Sequence, residues 1–311
     1  MNSSLWFIIV NPASGSGKTR SRWKKIKREL IGVGIKFEFS LTQYSGEEAS
    51  LAASAATKGY QKLIVVGGDG TMQKVVSGVY SQKKVAPKNI LIGVIPSGTG
   101  NDWIKTHKIP SDYKKAIKVI LNQKMKRQDV GHLTVSGNKN ISVVFINYSG
   151  AGFDCFVLSR LDQYKRFGPL SYFVCAILNF LKYRNISLKI QLDEKLISTN
   201  IFLLGIGLCS FTGGGMRLAK DANPNNGLFN ITVAENFTKM DIVRNIPKLF
   251  NGGIFKDKKV STHLSSSVRV SCEKNNVVSQ ADGEVLAGGS LHYQIERDGL
   301  TFCAPQKKYM L

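Results

Sequence analysis

The sequence predicts an α/β protein with two domains: a first domain built on a mostly parallel sheet, followed by a β-rich sandwich domain. Strand-like and helix-like segments alternate through the first 128 residues, as is typical of a parallel sheet covered by helices. From Asp129 onward, short strand-like runs separated by turn residues dominate, which favours antiparallel pairing. We therefore place the domains at residues 1–128 and 129–305, with a tail at residues 306–311.

Hydrophobic periodicity gives the elements of the first domain. A strand at residues 5–10 precedes a basic helix at residues 17–31, in which Trp23, Ile26 and Leu30 share one face. The next predicted elements are a strand at 36–42, a helix at 47–58, a strand at 62–66, a helix at 71–80, a strand at 90–95 and a helix that starts near Ser111 and ends near Asn122. Ser111 is a favourable N-cap residue for this last helix.

The second domain contains nine strand-like runs and one helical interruption at about residues 153–182. The predicted strands are 130–134, 141–147, 186–192, 199–208, 228–234, 267–272, 276–280, 291–296 and 300–303. Within the interruption, residues 170–181 are the most apolar helical segment, and they are too short to cross a bilayer. The apolar face of this segment has three interpretations: core packing, the lining of a lipid cleft, or contact with a membrane.

Charge and cysteine content limit the classes of partner and compartment. The chain of 311 residues has a formal net charge of +22, and residues 1–130 carry 22 Lys and Arg against 8 acidic residues. Such an excess predicts an anionic partner, either a nucleoside triphosphate, a nucleic acid or an anionic membrane surface. The five cysteines are odd in number and lie among apolar residues, which predicts free thiols and a cytoplasmic location.

Three glycine-rich turns carry most of the functional information, and each follows an apolar strand. They are Asn11-Pro12-Ala13-Ser14-Gly15, Gly67-Gly68-Asp69-Gly70-Thr71 and Ser97-Gly98-Thr99-Gly100-Asn101-Asp102. Glycine lets main-chain N–H groups approach an anion closely, and a following helix adds its positive N-terminal end. Asp69 and Asp102 are candidate ligands for Mg²⁺. Together the turns predict a site for a nucleotide polyphosphate.

A P-loop is the first alternative, because Gly17-Lys18-Thr19 nearly completes that motif. On the P-loop template, however, Pro12 takes the place of the first glycine. Proline has no N–H and a fixed φ, so this turn cannot wrap phosphate as a P-loop does.

The three turns together resemble the diacylglycerol kinase catalytic family, which includes soluble bacterial lipid kinases and is a distant relative of NAD kinases and phosphofructokinases. The resemblance continues through Asp129-Val-Gly131, Gly213-Gly-Gly215 and Gln280-Ala-Asp-Gly-Glu284, so it covers nearly the whole chain. It implies a nucleotide-binding α/β domain followed by a β-sandwich that carries the catalytic aspartate.

The resemblance also implies roles for individual residues. It assigns to ATP the first turn (Asn11, Pro12, Ser14, Gly15), the second turn (Gly67, Gly68, Asp69, Gly70, Thr71), the third turn (Ser97, Gly98, Thr99, Asn101, Asp102) and Thr42. Asp282 matches the family's general base, and Glu284 lies beside it. Asp69, Asp102 and Glu284 are the candidate ligands of a catalytic Mg²⁺. Judged from the residues alone, Asp282-Gly283 is more typical of an ordinary hairpin turn than of a catalytic site, and only the resemblance favours catalysis.

One loop departs from the family pattern. Members commonly have Asp-Gly-Leu where this chain has Asn226-Gly227-Leu228, and in them this aspartate and nearby carbonyls hold a structural Mg²⁺. Asparagine offers only a neutral oxygen, which weakens the attraction for a hard cation. The candidate ligands here are Asn223, Asn226 and Leu228, and a structural metal at this loop is doubtful on these grounds.

The sequence thus predicts an ATP- and Mg²⁺-dependent lipid kinase, with diacylglycerol as the expected acceptor and phosphatidate as the product. The alternatives are another acceptor within the superfamily (a sphingoid base, another lipid, NAD or a sugar) and a nucleic-acid-binding protein. The last is suggested only by charge, so no nucleic acid is expected. We expect a cytoplasmic protein that binds the anionic membrane surface peripherally, and we leave a homodimer open.

Overall fold

The computed structural model describes residues 4–273 and 276–305, so the predicted tail at residues 306–311 lies outside the described part of the chain. The chain forms two compact units. The first unit contains the residues up to Gln128 together with those from Asp298 onward, and the second spans Asp129–Arg297.

The first unit alternates strands and helices. Its elements are β1 (Trp6–Val10), α1 (Lys18–Gly32), β2 (Phe37–Leu41), α2 (Glu47–Thr57), β3 (Lys62–Gly67), α3 (Asp69–Ser81), a short 3-10 turn (Pro87–Asn89), β4 (Leu91–Pro96), α4 (Asp102–His107) and α5 (Tyr113–Leu121). The helix predicted from Ser111 starts instead at Tyr113, because the side chain of Asp112 caps it by accepting the N–H of Lys115. The sequence patterns did not reveal α4.

The sheet of the first unit is parallel, in the order β2-β1-β3-β4. Residues of β1, β3 and β4 are almost all buried, as expected for strands covered on both faces. Trp23, Ile26 and Leu30 of α1 pack into the same apolar core, so the predicted buried face of this helix is confirmed.

The second unit is dominated by strands. In chain order the elements are β5 (Met125–Ser136, which begins in the first unit), β6 (Ile141–Phe145), β7 (Tyr148–Gly152), α6 (Phe153–Leu158), a 3-10 segment (Leu161–Leu170), α7 (Ser171–Asn179), a 3-10 turn (Phe180–Lys182), β8 (Ile186–Leu192), β9 (Lys195–Gly207), β10 (Phe211–Thr212), β11 (Met216–Arg217), β12 (Phe229–Glu235), α8 (Lys239–Asn245), α9 (Lys248–Asn251), a 3-10 turn (Gly253–Lys256), β13 (Val260–Ser265), β14 (Ser267–Ser271), β15 (Val277–Ala281) and β16 (Glu284–Cys303). The sequence patterns missed β7, β13, α8 and α9, and they divided β16 into two strands.

Antiparallel pairing in the second unit closes into a ring. β9 pairs with β7, β7 with β15, β15 with β16, β16 with β14, β14 with β8, and β8 with β9 again. Apolar residues of these strands, such as Ile206, Val270 and Tyr293, form one buried core. The predicted β-sandwich is confirmed, and because the sheet closes, it leaves fewer exposed edges than an open one.

The end of β16 corrects the predicted domain boundary. The sequence pattern places residues 298–305 in the second domain, but in the structure they belong to the first unit. There Thr301 and Phe302 pair in parallel with the start of β4, and the Phe302 ring lies 5.0 Å from that of Trp103 and 4.4 Å from that of His107. A local pattern identifies a strand, but it does not specify which sheet the strand joins.

Candidate functional site

The three glycine turns lie at one edge of the first unit's sheet. Each turn begins where β1, β3 or β4 ends, and these three strands are parallel neighbours. Backbone hydrogen bonds fix the first and third turns to the end of β3: the Asn11 N–H donates to the Val66 carbonyl (3.0 Å), and the Ser97 N–H donates to the carbonyl of Gly67, the first residue of the second turn (2.7 Å). The structure therefore brings together the three turns that the sequence identified separately, at the edge where α/β sheets bind ligands.

The side chain of Asn11 fixes the first turn to its surroundings. Its amide nitrogen donates to Glu48 Oε1 (2.9 Å) and to Thr71 Oγ1 (3.0 Å). Its amide oxygen accepts the N–H groups of Ala13 (3.0 Å) and Ser14 (3.2 Å). Asn11 thus shapes its own turn and ties it to the second, which is a positioning role in addition to the predicted contact with ATP.

A second set of hydroxyl contacts joins the first turn to the third. Ser14 Oγ lies 2.6 Å from Thr19 Oγ1, which also hydrogen-bonds the hydroxyl of Ser97. Thr19 is fully buried, so these hydroxyls satisfy one another away from water. Gly15 lies against the Ser97 carbonyl, with a φ of +60°, and a Cβ at that position would overlap the carbonyl oxygen.

The second and third turns touch through their glycines. A Cβ on Gly68 would lie 2.8 Å from the Cα of Gly98, and a Cβ on Gly98 would overlap the Cα of Gly68. The Asn101 amide donates to the Gly98 carbonyl at 2.8 Å and supports the third turn from its other side. Only glycine permits two backbones to approach this closely.

Asp69 connects the second turn to α4. Its two carboxylate oxygens accept the N–H groups of Asp102 (2.9 Å) and Trp103 (3.1 Å), at the start of that helix. Burial raises the pKa of Asp69 and the charge of Asp102 raises it further, whereas the two N–H donors and the nearby Lys105 oppose this shift. Asp69 therefore caps a helix end, a role that the sequence did not indicate.

Asp69 and Asp102 are the two acids of these turns that are predicted to bind a catalytic Mg²⁺, and this role stays a prediction. Asp69 and Asp102 lie on adjacent turns, and one oxygen of Asp102 pairs with Lys105 at 2.7 Å. Mg²⁺ is commonly held by one or two carboxylates together with substrate phosphates, so a complete protein cage is not required. Residues 4–273 and 276–305 contain no group of three or more His, Cys, Asp or Glu side chains that could hold a metal ion.

The other residues predicted to bind nucleotide lie on or beside the same turns. The Thr42 N–H donates to the Val10 carbonyl at 2.9 Å, which places Thr42 next to the start of the first turn. Pro12 is buried, whereas Gly70 and Thr99 are exposed on their turns. Contact of these residues with ATP stays a prediction.

Two residues that support the turns through hydrogen bonds could not be predicted from the sequence. Glu48 is only 2% exposed, yet it looks like an ordinary acidic residue at the start of an alanine-rich helix. In the sequence, Thr19 stands out only as part of an apparent P-loop motif. In both cases the signal is a contact with a distant segment, which a local pattern does not contain.

In the second unit, Asp282 lies in the two-residue hairpin that joins β15 to β16. The φ angles of Asp282 (+48°) and Gly283 (+89°) are both positive, as expected for a type I′ turn. The carboxylate also accepts three backbone N–H groups, from Ile146 (2.8 Å), Asn147 (3.0 Å) and Tyr148 (2.9 Å). The hairpin interpretation is therefore correct for the backbone, and the three donors hold the carboxylate in one orientation.

Glu284, the second candidate acid, begins β16 and is exposed. The residues around it are fixed by the hairpin, in which the Gly283 N–H donates to Gln280 Oε1 at 2.9 Å. The assignments of Asp282 as a base and of Glu284 as a metal ligand stay predictions.

The loop at residues 223–228 does not fit a structural Mg²⁺. The amide oxygens of Asn223 and Asn226 already accept N–H groups within the loop, and the Gly227 N–H donates to Asp129 at 2.7 Å. The guanidinium of Arg297 lies directly against Gly227, where a Cβ would overlap it. A fixed cation beside neutral ligands disfavours a second cation, so the structural metal considered at Asn223, Asn226 and Leu228 is not supported.

We therefore expect the folding of this protein to be independent of Mg²⁺. In the absence of nucleotide, the thermal midpoint with millimolar Mg²⁺ should agree with that in EDTA to within about 1 °C, because a bound structural ion would stabilise the folded state by mass action. Differential scanning calorimetry measures both midpoints. A rise of several degrees in Mg²⁺ would show that the loop holds the ion.

An apolar cavity of about 370 Å³ is the most distinctive feature of the second unit. Its lining consists almost entirely of carbon: Phe153, Tyr172, Ala176, Ile177, Phe180, Phe202, Leu203, Gly213, Gly214, Met216, Leu218, Phe237, Ile242, Asn245, Ile246, Leu249, Phe250 and Ile254. These residues come from α6–α9, from the neighbouring strands and from the Gly213–Gly215 turn. A cavity of this composition suits a hydrocarbon chain better than a polar metabolite.

Within the described ranges, no helix combines the length and apolar character that a bilayer crossing requires.

Comparison with known proteins identifies the family. The model of the diacylglycerol kinase catalytic domain matches residues 5–133, and that of the YegS C-terminal NAD kinase beta sandwich-like domain matches residues 147–303. A diacylglycerol kinase of Staphylococcus carnosus is 28% identical, over 91% of this chain and 89% of its own length. A diacylglycerol kinase of Bacillus subtilis is 27% identical, over 91% and 90%.

The fold agrees with a solved structure. A crystal structure of a diacylglycerol kinase from Bacillus anthracis superposes with a TM-score of 0.72, covering 98% of both chains at 21% identity. The two family models together reach from residue 5 to residue 303, over both structural units. The chain therefore belongs to the diacylglycerol kinase catalytic family and is a lipid kinase.

Proposed function

We propose that this lipid kinase transfers the γ-phosphoryl group of ATP to the free hydroxyl of diacylglycerol, giving phosphatidate and ADP. The apolar cavity of the second unit is the main observation in favour of a lipid acceptor with long acyl chains. The names of the relatives from Staphylococcus carnosus and Bacillus subtilis support diacylglycerol as the acceptor.

At the nucleotide end, the three joined turns would hold the phosphates of ATP. Main-chain N–H groups in such turns stabilise negative charge without a deprotonation step, and the contacts among Asn11, Ser14, Thr71 and Ser97 hold the turns in place before ATP arrives. Asp69 and Asp102 are the proposed protein ligands of Mg²⁺, which would neutralise the charge of the phosphate oxygens when bound.

At the acceptor end, the cavity would bind one acyl chain and so present the lipid's hydroxyl at a fixed position. Burial of apolar surface contributes about 25 cal/mol per Å², which makes a hydrocarbon chain the favoured occupant. A sugar, NAD or a nucleic acid would bring polar groups to walls that offer them almost no hydrogen-bond partners. The cavity therefore disfavours these three alternatives, and it does not discriminate among lipids.

Asp282 is the proposed general base. Its carboxylate is oriented by the N–H groups of Ile146, Asn147 and Tyr148, and it would accept the proton of the lipid hydroxyl as the phosphoryl group transfers. Phosphoryl transfer depends mainly on positioning and charge stabilisation, so a rigidly held carboxylate suits this role.

The test is transfer of radiolabelled phosphate from ATP to a panel of acceptors: diacylglycerols of increasing chain length, ceramide, a sphingoid base, NAD and glucose. We expect diacylglycerol to give the highest kcat/KM, with KM falling as the acyl chain lengthens. If a sphingoid base or ceramide is the best acceptor, the proposed substrate is wrong but the protein is still a lipid kinase. Labelling of glucose or NAD alone would refute a lipid acceptor.

Filling the cavity should separate binding of the lipid from binding of ATP. Ala176 lines the cavity, and Ala176→Phe is expected to raise the KM for long-chain diacylglycerol by about ten-fold or more, while the KM for ATP stays within about two-fold. Ala53→Phe is the matched control, because Ala53 is also a half-buried alanine on a helix, in the first unit. Equal lipid KM values for wild type and Ala176→Phe would show that the acyl chain binds elsewhere.

A further inference from the structure

Large apolar side chains are exposed on the helical elements that contribute to the cavity lining. On α7 and the 3-10 turn that follows it, Leu178 is 58% and Leu181 is 65% exposed; on α8, Met240 is 74% and Val243 is 50% exposed; on α9, Phe250 is 48% exposed. We refer to these five residues as the apolar rim. Leu178 and Leu181 are three residues apart, as are Met240 and Val243, so each pair lies on one side of its element.

Contacts within the second unit place α7 and α8 side by side. The ammonium group of Lys239, at the start of α8, donates to the carbonyls of Phe180 (2.8 Å) and Tyr183 (2.5 Å), directly after α7. Ile177 of α7 and Phe250 of α9 are both partly exposed and both line the cavity. The apolar rim and the cavity lining therefore come from the same helical elements, and Phe250 belongs to both.

The charge of the same segments is strongly positive. Residues 171–184 and 239–256 contain six Lys and Arg (Lys182, Arg184, Lys239, Arg244, Lys248, Lys256) and one acidic residue, Asp241. Asp241 is occupied within the fold, since it forms the capping box of α8 with Thr238 and pairs with Lys259 at 2.6 Å. Exposed apolar residues on basic segments complement a bilayer that contains anionic lipid.

We propose that the apolar rim is the surface through which this protein docks on membranes, with its leucine, methionine, valine and phenylalanine side chains inserted among the lipids and with Lys182, Arg184, Arg244, Lys248 and Lys256 on anionic head groups. Docking in this orientation directs the cavity opening toward the acyl chains, so a lipid enters without crossing water. The surface assignment is independent of the nucleotide site, but its relation to the cavity rests on the proposed lipid acceptor.

The test compares vesicle binding of two rim variants with that of a matched control. Leu181→Asp and Met240→Asp place a charge on the rim without altering the cavity lining. Leu196→Asp is the control, because Leu196 is 62% exposed on β9, outside the rim. Cosedimentation is measured without ATP, on vesicles of phosphatidylcholine alone and on vesicles with one third phosphatidylglycerol.

We expect wild type and Leu196→Asp to bind the anionic vesicles equally, and each rim variant to bind at least about ten-fold more weakly, because insertion of a large apolar side chain is lost. Added salt should weaken binding of the wild type. Unchanged binding by both rim variants would refute the assignment. If the rim variants instead dissociate a dimer in analytical ultracentrifugation without vesicles, the rim is an interface between two copies of the chain, and the proposal is also wrong.

Kinase activity on a dispersed short-chain diacylglycerol distinguishes failure of docking from failure of the proposed function. The rim variants should keep this activity near the wild-type value, because the short-chain lipid does not have to be taken from a bilayer. Loss of vesicle binding with retained activity supports the proposal. Absence of activity in the wild type would overturn the proposed function and leave the docking result standing.

Discussion

Asp282→Asn is expected to lower kcat for lipid phosphorylation by about 10²–10⁴-fold, with ATP affinity within a few-fold of the wild-type value. Asparagine is well tolerated in a type I′ turn, so the hairpin between β15 and β16 should keep its backbone. The amide cannot act as a base. It also replaces one carboxylate oxygen by an NH₂ group, which leaves one of the three N–H donors at Ile146, Asn147 and Tyr148 without an acceptor.

The effect of the lost hydrogen bond on folding stability has to be distinguished from the effect of the lost base on catalysis. An unsatisfied buried donor costs about 1–3 kcal/mol of folding stability, so kinetics are measured well below the thermal midpoint of the variant. Asp193→Asn is the matched control, because Asp193 also lies in a hairpin turn, between β8 and β9, with a φ of +43°. It should leave kcat unchanged. A folded Asp282→Asn protein with kcat within about three-fold of wild type would reject the general base role.

Gly68→Val and Gly98→Ala are expected to abolish measurable ATP binding. At both positions a side chain meets the backbone of the facing turn, and backbone atoms cannot rotate away as a side chain can. The two turns must separate, which costs about 1–3 kcal/mol and displaces the N–H groups that would face the phosphates. Isothermal titration calorimetry with a non-hydrolysable ATP analogue measures the loss.

Two further glycines provide controls. A Cβ on Gly32, at the end of α1, meets no atom within 4 Å, so Gly32→Ala should bind the analogue normally. A Cβ on Gly70 is equally unobstructed, so Gly70→Ala should fold normally, and any loss of affinity there reports directly on contact with phosphate. Circular dichroism first establishes that each variant is folded. A folded Gly98→Ala protein with wild-type affinity would place the phosphates away from these turns.

The first unit was largely predictable because its signals are local. β1, β3 and β4 appear in the sequence as apolar runs that each end at a glycine turn, and parallel neighbours place such turns at one edge. α4 was missed because it is six residues long, and its start is capped by Asp69, which lies 33 residues earlier in the chain. The buried Glu48 escaped prediction for the same reason, because its partner Asn11 belongs to another segment.

In the second unit the sequence indicated strands but not their pairing. The ring formed by β9, β7, β15, β16, β14 and β8 requires contacts between strands more than 100 residues apart, for example between Ala151 and Ser279. The loop at residues 223–228 is a second case in which a contact between distant residues could not be predicted from the sequence. Asn226 already made a structural metal there doubtful, but the guanidinium of Arg297 against Gly227 is visible only in the folded chain.

The sequence by itself determined the alternation of strands and helices, the three glycine-rich turns, the Asp282-Gly283 hairpin and the resemblance to the lipid kinase family, because each of these features depends on consecutive residues. Only the tertiary structure decided that residues 298–305 join the first unit, that three N–H groups orient Asp282, and that helices and strands of the second unit enclose an apolar cavity beside an exposed apolar rim. The physical reason is that burial and hydrogen bonding depend on which distant residues come into contact. The sequence pattern of an apolar residue is the same whether that residue fills a core, lines a cavity or faces a membrane.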